Sequence, residues 1–338
     1  MTVEQKVAER HHVTRQVFEA EILPAGQPVV MRGLVAGWPA VAAAMRSATD
    51  LAAYLRGMDR GAEVETFVGP PSMRGRYFYN ADLTGFNFEK GKTTLSAIAD
   101  KLLSMDPVAP ALMIYAGSAP AGDAVPQFAD DNPMPLLDAV VGPRLWLGNR
   151  SRVAAHYDNS RNIACCISGT RRFTLFPPDQ IGSLYLGPLE FTMAGPPASM
   201  VDFDAPDFAR FPRFAEAQRA AFVAELAPGD ALYLPSLWFH HVAADGPFNL
   251  LANYWWMPEN AGSTFEALML AMIDLRDQPI PEKEAWCAFF EHFVFARDAH
   301  LAADHLPPAL GTAAGPKSMK RDAMVLGFIK DRLARRQR

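Results

Sequence analysis

From about residue 144 to 258, short apolar runs rich in β-formers follow one another, often bounded by glycine or proline. The runs are Leu145 to Leu147, Ile163 to Ile167, Arg171 to Phe176, Ala231 to Leu234, His241 to Ala244 and Leu250 to Trp255. They are short for helices, and their composition suits a pleated, half-buried backbone. Pro228-Gly229-Asp230 sets a turn directly before one of them. Such a series of strands points to a β-sandwich or a barrel.

The flanks read differently. Before the β region lie a short strand-like run from Pro28 to Gly33 and an aromatic one from Arg76 to Asn80. Thr49-Asp50 is positioned to cap a helix through Leu51, Tyr54 and Leu55, and Thr93-Thr94 to cap another through Leu95, Ile98, Leu102 and Leu103. After about residue 261 the pattern is helical. Ser263-Thr264-Phe265-Glu266 forms a capping box. Pro281 fits the first turn of a helix bearing Trp286, Phe289, Phe290 and Phe293. Val325, Phe328, Ile329 and Leu333 follow at helical spacing. The expected organisation is an N-terminal α/β elaboration over 1–143, a β core over 144–258 and a helical region over 259–338. The apolar faces of the last region suit a homodimer.

Composition bounds the partners. Half the residues are hydrophobic and 20% are charged, as in a globular chain with a sizeable core. A net charge of -5 offers no basic field, so nucleic acid is not an expected partner. No apolar run approaches the roughly 20 residues of a membrane helix, so no membrane partner is expected either. Three cysteines, two of them adjacent (Cys165 and Cys166), make a poor disulfide framework. A reducing cytoplasm is the expected compartment.

With eight histidines in the chain, their positions carry information. His156-Tyr157-Asp158 follows a strand-like run. In extended chain, side chains two apart share a face, so one imidazole and one carboxylate can meet one metal ion. Pro235-Ser236-Leu237-Trp238-Phe239-His240-His241 offers a third ligand. Adjacent strand residues face opposite ways, so at most one of His240 and His241 can join. Two histidines and one carboxylate form the facial triad that binds non-haem Fe(II) with three positions open. The same histidines also fit an ordinary β core, hydrogen-bonded or packed. Arg171 is a second anchor. Alternation puts it on one face with Phe173 and Leu175, and a cation on an apolar inward face wants an anion. Guanidinium can hold a carboxylate through two parallel bonds. In the alternative, Arg172 points inward and Arg171 is solvated.

Together these residues resemble the JmjC/cupin-like family of Fe(II)- and 2-oxoglutarate-dependent oxygenases. The resemblance is carried by His156-Tyr157-Asp158, Asn162, Gly169-Thr170-Arg171-Arg172, Leu175-Phe176-Pro177-Pro178, Gly229-Asp230, Pro235 to His240 and Asn253-Tyr254-Trp255. Val201 to Asp204 and Arg210 to Pro212 resemble the segment that joins the two metal motifs in an asparaginyl hydroxylase of that family. Pro28 to Pro39 resembles its N-terminal strand and turn. The match covers about residues 28 to 258.

The resemblance implies a mainly β fold with flanking α: a double-stranded β-helix (jelly-roll/cupin) core. It implies His156, Asp158 and His240 as metal ligands, because in Pro-x-x-Trp-x-His the histidine two after tryptophan is the ligand. It implies Arg171 for the distal carboxylate of 2-oxoglutarate, aided by Tyr115. Asn162 and Asn253 are matched to the co-substrate or the metal shell, and each also reads as a satisfied core amide. Val153 departs from the pattern, since the asparaginyl hydroxylase has a co-substrate-binding threonine there. The implied cofactor is Fe(II), with 2-oxoglutarate and O2 consumed and succinate and CO2 released. The implied substrate is a protein or peptide side chain, which is hydroxylated. A small-molecule oxygenase, a demethylase and a non-catalytic cupin-type binding or interaction module are the alternatives.

Overall fold

The computed structural model describes residues 5–106, 112–190, 192, 195–258, 262, 264–307 and 312–336. The chain divides into two compact units, Met1–Glu259 and Asn260–Arg338.

The first unit holds thirteen described strands. They are β1 (Gln5–Lys6), β2 (Ala8–His11), β3 (Val29–Arg32), β4 (Val64–Gly69), β5 (Arg76–Tyr77), β6 (Glu89–Thr93) and β7 (Met113–Pro120). Then follow β8 (Arg144–Gly148), β9 (Ser151–His156), β10 (Arg161–Phe176), β11 (Phe222–Leu226), β12 (Ala231–Leu234) and β13 (Phe239–Trp256). Two of them organise the rest. Residues 162–165 of β10 pair with β12, and residues 171–175 pair with β11. Likewise residues 249–253 of β13 pair with β8, and residues 240–244 pair with β9. β10 and β13 also pair with each other, antiparallel, along nearly their whole length. Each long strand therefore serves two sheets. One runs β2-β3-β12-β10-β13-β8-β7-β4-β6, and the other is β1-β11-β10-β13-β9-β5. This is the jelly-roll core of a cupin.

The runs on either side of Gly169, expected as separate strands, are thus one strand. So are His241 to Ala244 and Leu250 to Trp255. Gly169 has φ +73°, and the β10–β13 register shifts on both sides of Ser168. A glycine there bends the strand without ending it.

The N-terminal helices share the core of the first sheet. Leu51, Leu55, Leu95 and Ile98 pack in one cluster with Leu145, Leu147, Ile163 and Ile167. Thr94 caps helix Leu95–Leu103 by accepting from the Ala97 amide at 3.1 Å. Helix Ala48–Met58 starts earlier than expected. Ser47, not Thr49 or Asp50, is its cap and accepts from the Asp50 amide at 3.0 Å. Asp50 instead lies in the first turn, where its charge suits the helix dipole. Of the aromatic run 76–80, two residues form β5, and Tyr79 bridges to Phe86.

The second unit contains helices Thr264–Asp274, Ile280–Phe290 and Met319–Arg336. Pro281 lies in the first turn of its helix. Ser263 of the expected capping box lies outside the described residues. Trp286, Phe289 and Phe293 are exposed. Among the described residues, no helix is long and apolar enough to cross a membrane.

Candidate metal centre and its cavity

The strand pairing that builds the second sheet also builds the site. His156 ends β9 and pairs directly with His240 near the start of β13. Their rings lie 4.3 Å apart. Asp158 follows two residues after His156 and is tied down twice. Its backbone carbonyl accepts from the Leu237 amide at 2.8 Å, and its Oδ2 accepts from Trp255 Nε1 at 3.1 Å. One ligand atom from each of His156, Asp158 and His240 lies within 4.8 Å of the others.

Both imidazoles are oriented by carbonyl groups. His156 Nδ1 lies 2.9 Å from the Ala154 oxygen, and His240 Nδ1 lies 3.1 Å from the Trp238 oxygen. A carbonyl only accepts, so each Nδ1 carries the proton and each Nε2 keeps its lone pair. Two aimed lone pairs and one carboxylate fit a divalent transition metal, with part of the coordination sphere left open.

His241 faces the other way. It stacks on Phe203 with ring centroids 4.7 Å apart. Its wall also holds Arg172 and Thr174, whereas His240 shares a cavity with Arg171 and Phe173. Alternation along β10 and β13 separates the two sets.

That cavity lies between the sheets. Its volume is about 130 Å³, far above the ~10–15 Å³ that one ordered water needs. Its wall is mostly apolar and aromatic, including Phe67, Phe88, Trp146, Leu251 and Trp255. Arg171 is 4% exposed, and its Nη1 donates to Asn249 Oδ1 at 3.0 Å and to the Thr170 carbonyl at 3.4 Å. Among the described residues no carboxylate pairs with it. Burial lowers its pKa, since the charge has lost water without gaining an anion. Arg172 instead bonds Glu225 at 2.5 Å on the outside. Gly169 serves this arrangement too. A Cβ there would lie 2.0 Å from Asn249 Oδ1 and displace the amide that holds Arg171.

Tyr115 lines the same cavity. Burial raises its pKa, and the nearby Arg171 charge opposes that rise. Asn162 and Asn253 line it as well and bond each other at 3.4 Å. Asn253 Oδ1 also accepts from Trp146 Nε1 at 2.7 Å. All seven residues singled out in the sequence therefore border one cavity. Asn249, Tyr77 and the anchoring role of Trp255 were not foreseen. Nothing local marks Asn249 or Tyr77, and Trp255 stood out only through the family pattern.

Cys165 and Cys166 are buried free thiols, and burial pushes Cys166 up to about 11. At neutral pH both are packing groups.

Two sheets sharing long strands around an inward His/Asp/His set define a cupin whose interior could hold a metal ion. Residues 14–262 match a family described as cupin-like domain, and the chain belongs to that family. It is 30% identical over 128 residues to Lysine-specific demethylase JMJ31 of Arabidopsis thaliana, covering 36% of this chain and 23% of that protein. It is 34% identical over 115 residues to tRNA wybutosine-synthesizing protein 5 of Gallus gallus, covering 34% of this chain and 30% of that protein. It is 32% identical over 113 residues to HSPB1-associated protein 1 of Homo sapiens, covering 33% and 22%. The chain spans less than a third of the length of each of these relatives.

Acid should weaken the metal-free fold through its buried histidines. Burial, followed by the neighbouring His156, lowers the pKa of His240 from 6.5 to about 4, against the pull of Asp158. Burial and the Arg152 charge lower that of His241 to about 3. Between pH 6.5 and these values the unfolded chain binds protons that the folded chain refuses. Stability is therefore full above about pH 6.5 and falls with acidification toward about pH 3. Each histidine contributes at most about 1.4 kcal/mol per pH unit. Urea unfolding of metal-free protein from pH 7 to 4 would measure this. A flat profile would show that both rings protonate freely in the folded state.

Proposed function

We propose that this chain is an Fe(II)- and 2-oxoglutarate-dependent oxygenase that hydroxylates a protein or peptide side chain. One observation carries the reading. A single cavity holds both an inward His/Asp/His set and a buried arginine that has no carboxylate partner among the described residues. A metal-binding cupin that did no oxidative chemistry would have no need of the second feature. The relatives named as a demethylase and as a wybutosine-synthesizing protein support an enzymatic role.

His156, Asp158 and His240 would hold the metal. Bound Fe(II) would supply the oxygen-activating chemistry, with one O2 and one 2-oxoglutarate consumed and succinate, CO2 and one hydroxylated substrate formed. Arg171 neutralises and orients the distal carboxylate of the co-substrate, and Asn249 fixes the guanidinium. Tyr115 donates to the same carboxylate. Trp255 holds Asp158 in place. The apolar wall excludes water from the reacting groups.

The test is an anaerobic titration with Fe(II) and 2-oxoglutarate, read by the weak visible charge-transfer band of a keto acid chelated to ferrous iron. The band is expected at one equivalent of each. Folded, iron-loaded protein that gives no band overturns the reading. Peptide pools then separate the chemistries by mass: a gain of one oxygen supports hydroxylation, and loss of a methyl group as formaldehyde replaces it with demethylation.

A further inference from the structure

Among the described residues, four buried side-chain atoms have no hydrogen-bond partner, and the Tyr77 hydroxyl is the one on the cavity wall. Tyr77 is 5% exposed. A buried phenol without an acceptor is costly, whereas phenylalanine would pack there without that cost. The position therefore makes sense if an acceptor arrives with a ligand.

The sheet indicates which ligand. β5 pairs in parallel with β9, and Tyr77 stands opposite Val153. Side chains at paired positions lie on the same face, and both residues line the cavity. The Tyr77 ring lies 5.5 Å from that of Tyr115, which in turn feels the charge of Arg171. Burial keeps the Tyr77 phenol well above its ordinary pKa, so it remains a donor. The wall thus carries a chain of donors: the Arg171 guanidinium, the Tyr115 phenol that feels its charge, and the Tyr77 phenol beside Tyr115. Val153 supplies none, although a hydroxyl at that position would face the same space.

We propose that Tyr77 donates a hydrogen bond to the distal carboxylate of the dicarboxylate co-substrate, in the place that Val153 leaves apolar. This rests on the oxygenase reading above.

The experiment is calorimetric titration of the full, Mn(II)-loaded chain with 2-oxoglutarate and with 2-oxopentanoate, which lacks the distal carboxylate. Tyr77→Phe is expected to weaken 2-oxoglutarate about tenfold or more, as befits a bond to a charged group, and to leave 2-oxopentanoate unchanged. Adding Val153→Thr to Tyr77→Phe is expected to restore part of the loss. Metal-free Tyr77→Phe should unfold at the same temperature as the parent or higher, because it loses an unpaired hydroxyl. Undiminished 2-oxoglutarate affinity in Tyr77→Phe overturns the proposal, as does equal weakening of both acids. Failure of the parent chain to bind 2-oxoglutarate at all is a different result. It sinks the oxygenase reading and this inference with it.

Discussion

Asp158→Ala is expected to abolish the Fe(II) binding proposed for this site while leaving the chain folded. Asp158 supplies the only negative charge of the three-residue set, and its removal leaves two neutral imidazoles. Losing a residue that merely orients a ligand typically lowers metal affinity ten- to a hundredfold. Loss of the ligand itself is therefore expected to exceed about a hundredfold. Asp158→Asn separates charge from geometry, since the amide oxygen can still accept from Trp255 Nε1. It should keep the fold around Trp255 and still lose most of the affinity. Competition with a fluorescent chelator reads the metal, and near-ultraviolet circular dichroism reads the packing of the aromatic wall. Parental Fe(II) affinity in Asp158→Ala would place the metal elsewhere.

Arg171→Met is expected to give the opposite pattern, with the metal retained and the proposed co-substrate lost. The guanidinium is buried with neutral partners, so an incoming carboxylate finds a cation already desolvated. Removing one member of a buried, hydrogen-bonded charge pair costs about 2–5 kcal/mol. The 2-oxoglutarate dissociation constant should rise by about thirtyfold at least. Stabilisation by the ligand should disappear with it. At a hundred times its dissociation constant, a ligand stabilises the folded state by about 2.7 kcal/mol. The parent should show that gain, and Arg171→Met at the same concentration should show little of it. Equal thermal shifts in both proteins would remove Arg171 from the binding site.

The sequence was most readable where alternation does the work. His240 and His241 cannot share a face, and the structure puts the first against the Trp238 carbonyl and the second against Phe203. Arg171 and Arg172 separate in the same way, one into the cavity and one onto Glu225. What was hidden depends on contacts between distant segments. Glycine at 169 looked like a strand end because local pattern cannot show whether the strand carries on into a second sheet. Ser47 was missed as a cap because the apolar spacing fixes a helix face and not its first turn. Asn249 and Tyr77 look ordinary in their own surroundings. They gain significance only when β13 sets Asn249 beside Arg171 and β9 sets Tyr77 beside Val153.

The two long strands also bear on how the protein is made. β10 leaves the ribosome before any of the three strands it pairs with, for β11, β12 and β13 lie between residues 222 and 256. Until these emerge, Ile163 to Ile167, wholly buried in the finished molecule, sit on a strand with both edges open. A nascent chain in that state is a natural client for chaperones and a natural seed for aggregation. The strand that carries Arg171 is thus also one that stands open to mispairing before synthesis is finished. Yield of soluble protein should then depend more on how fast residues 222–256 follow than on the final stability of the fold.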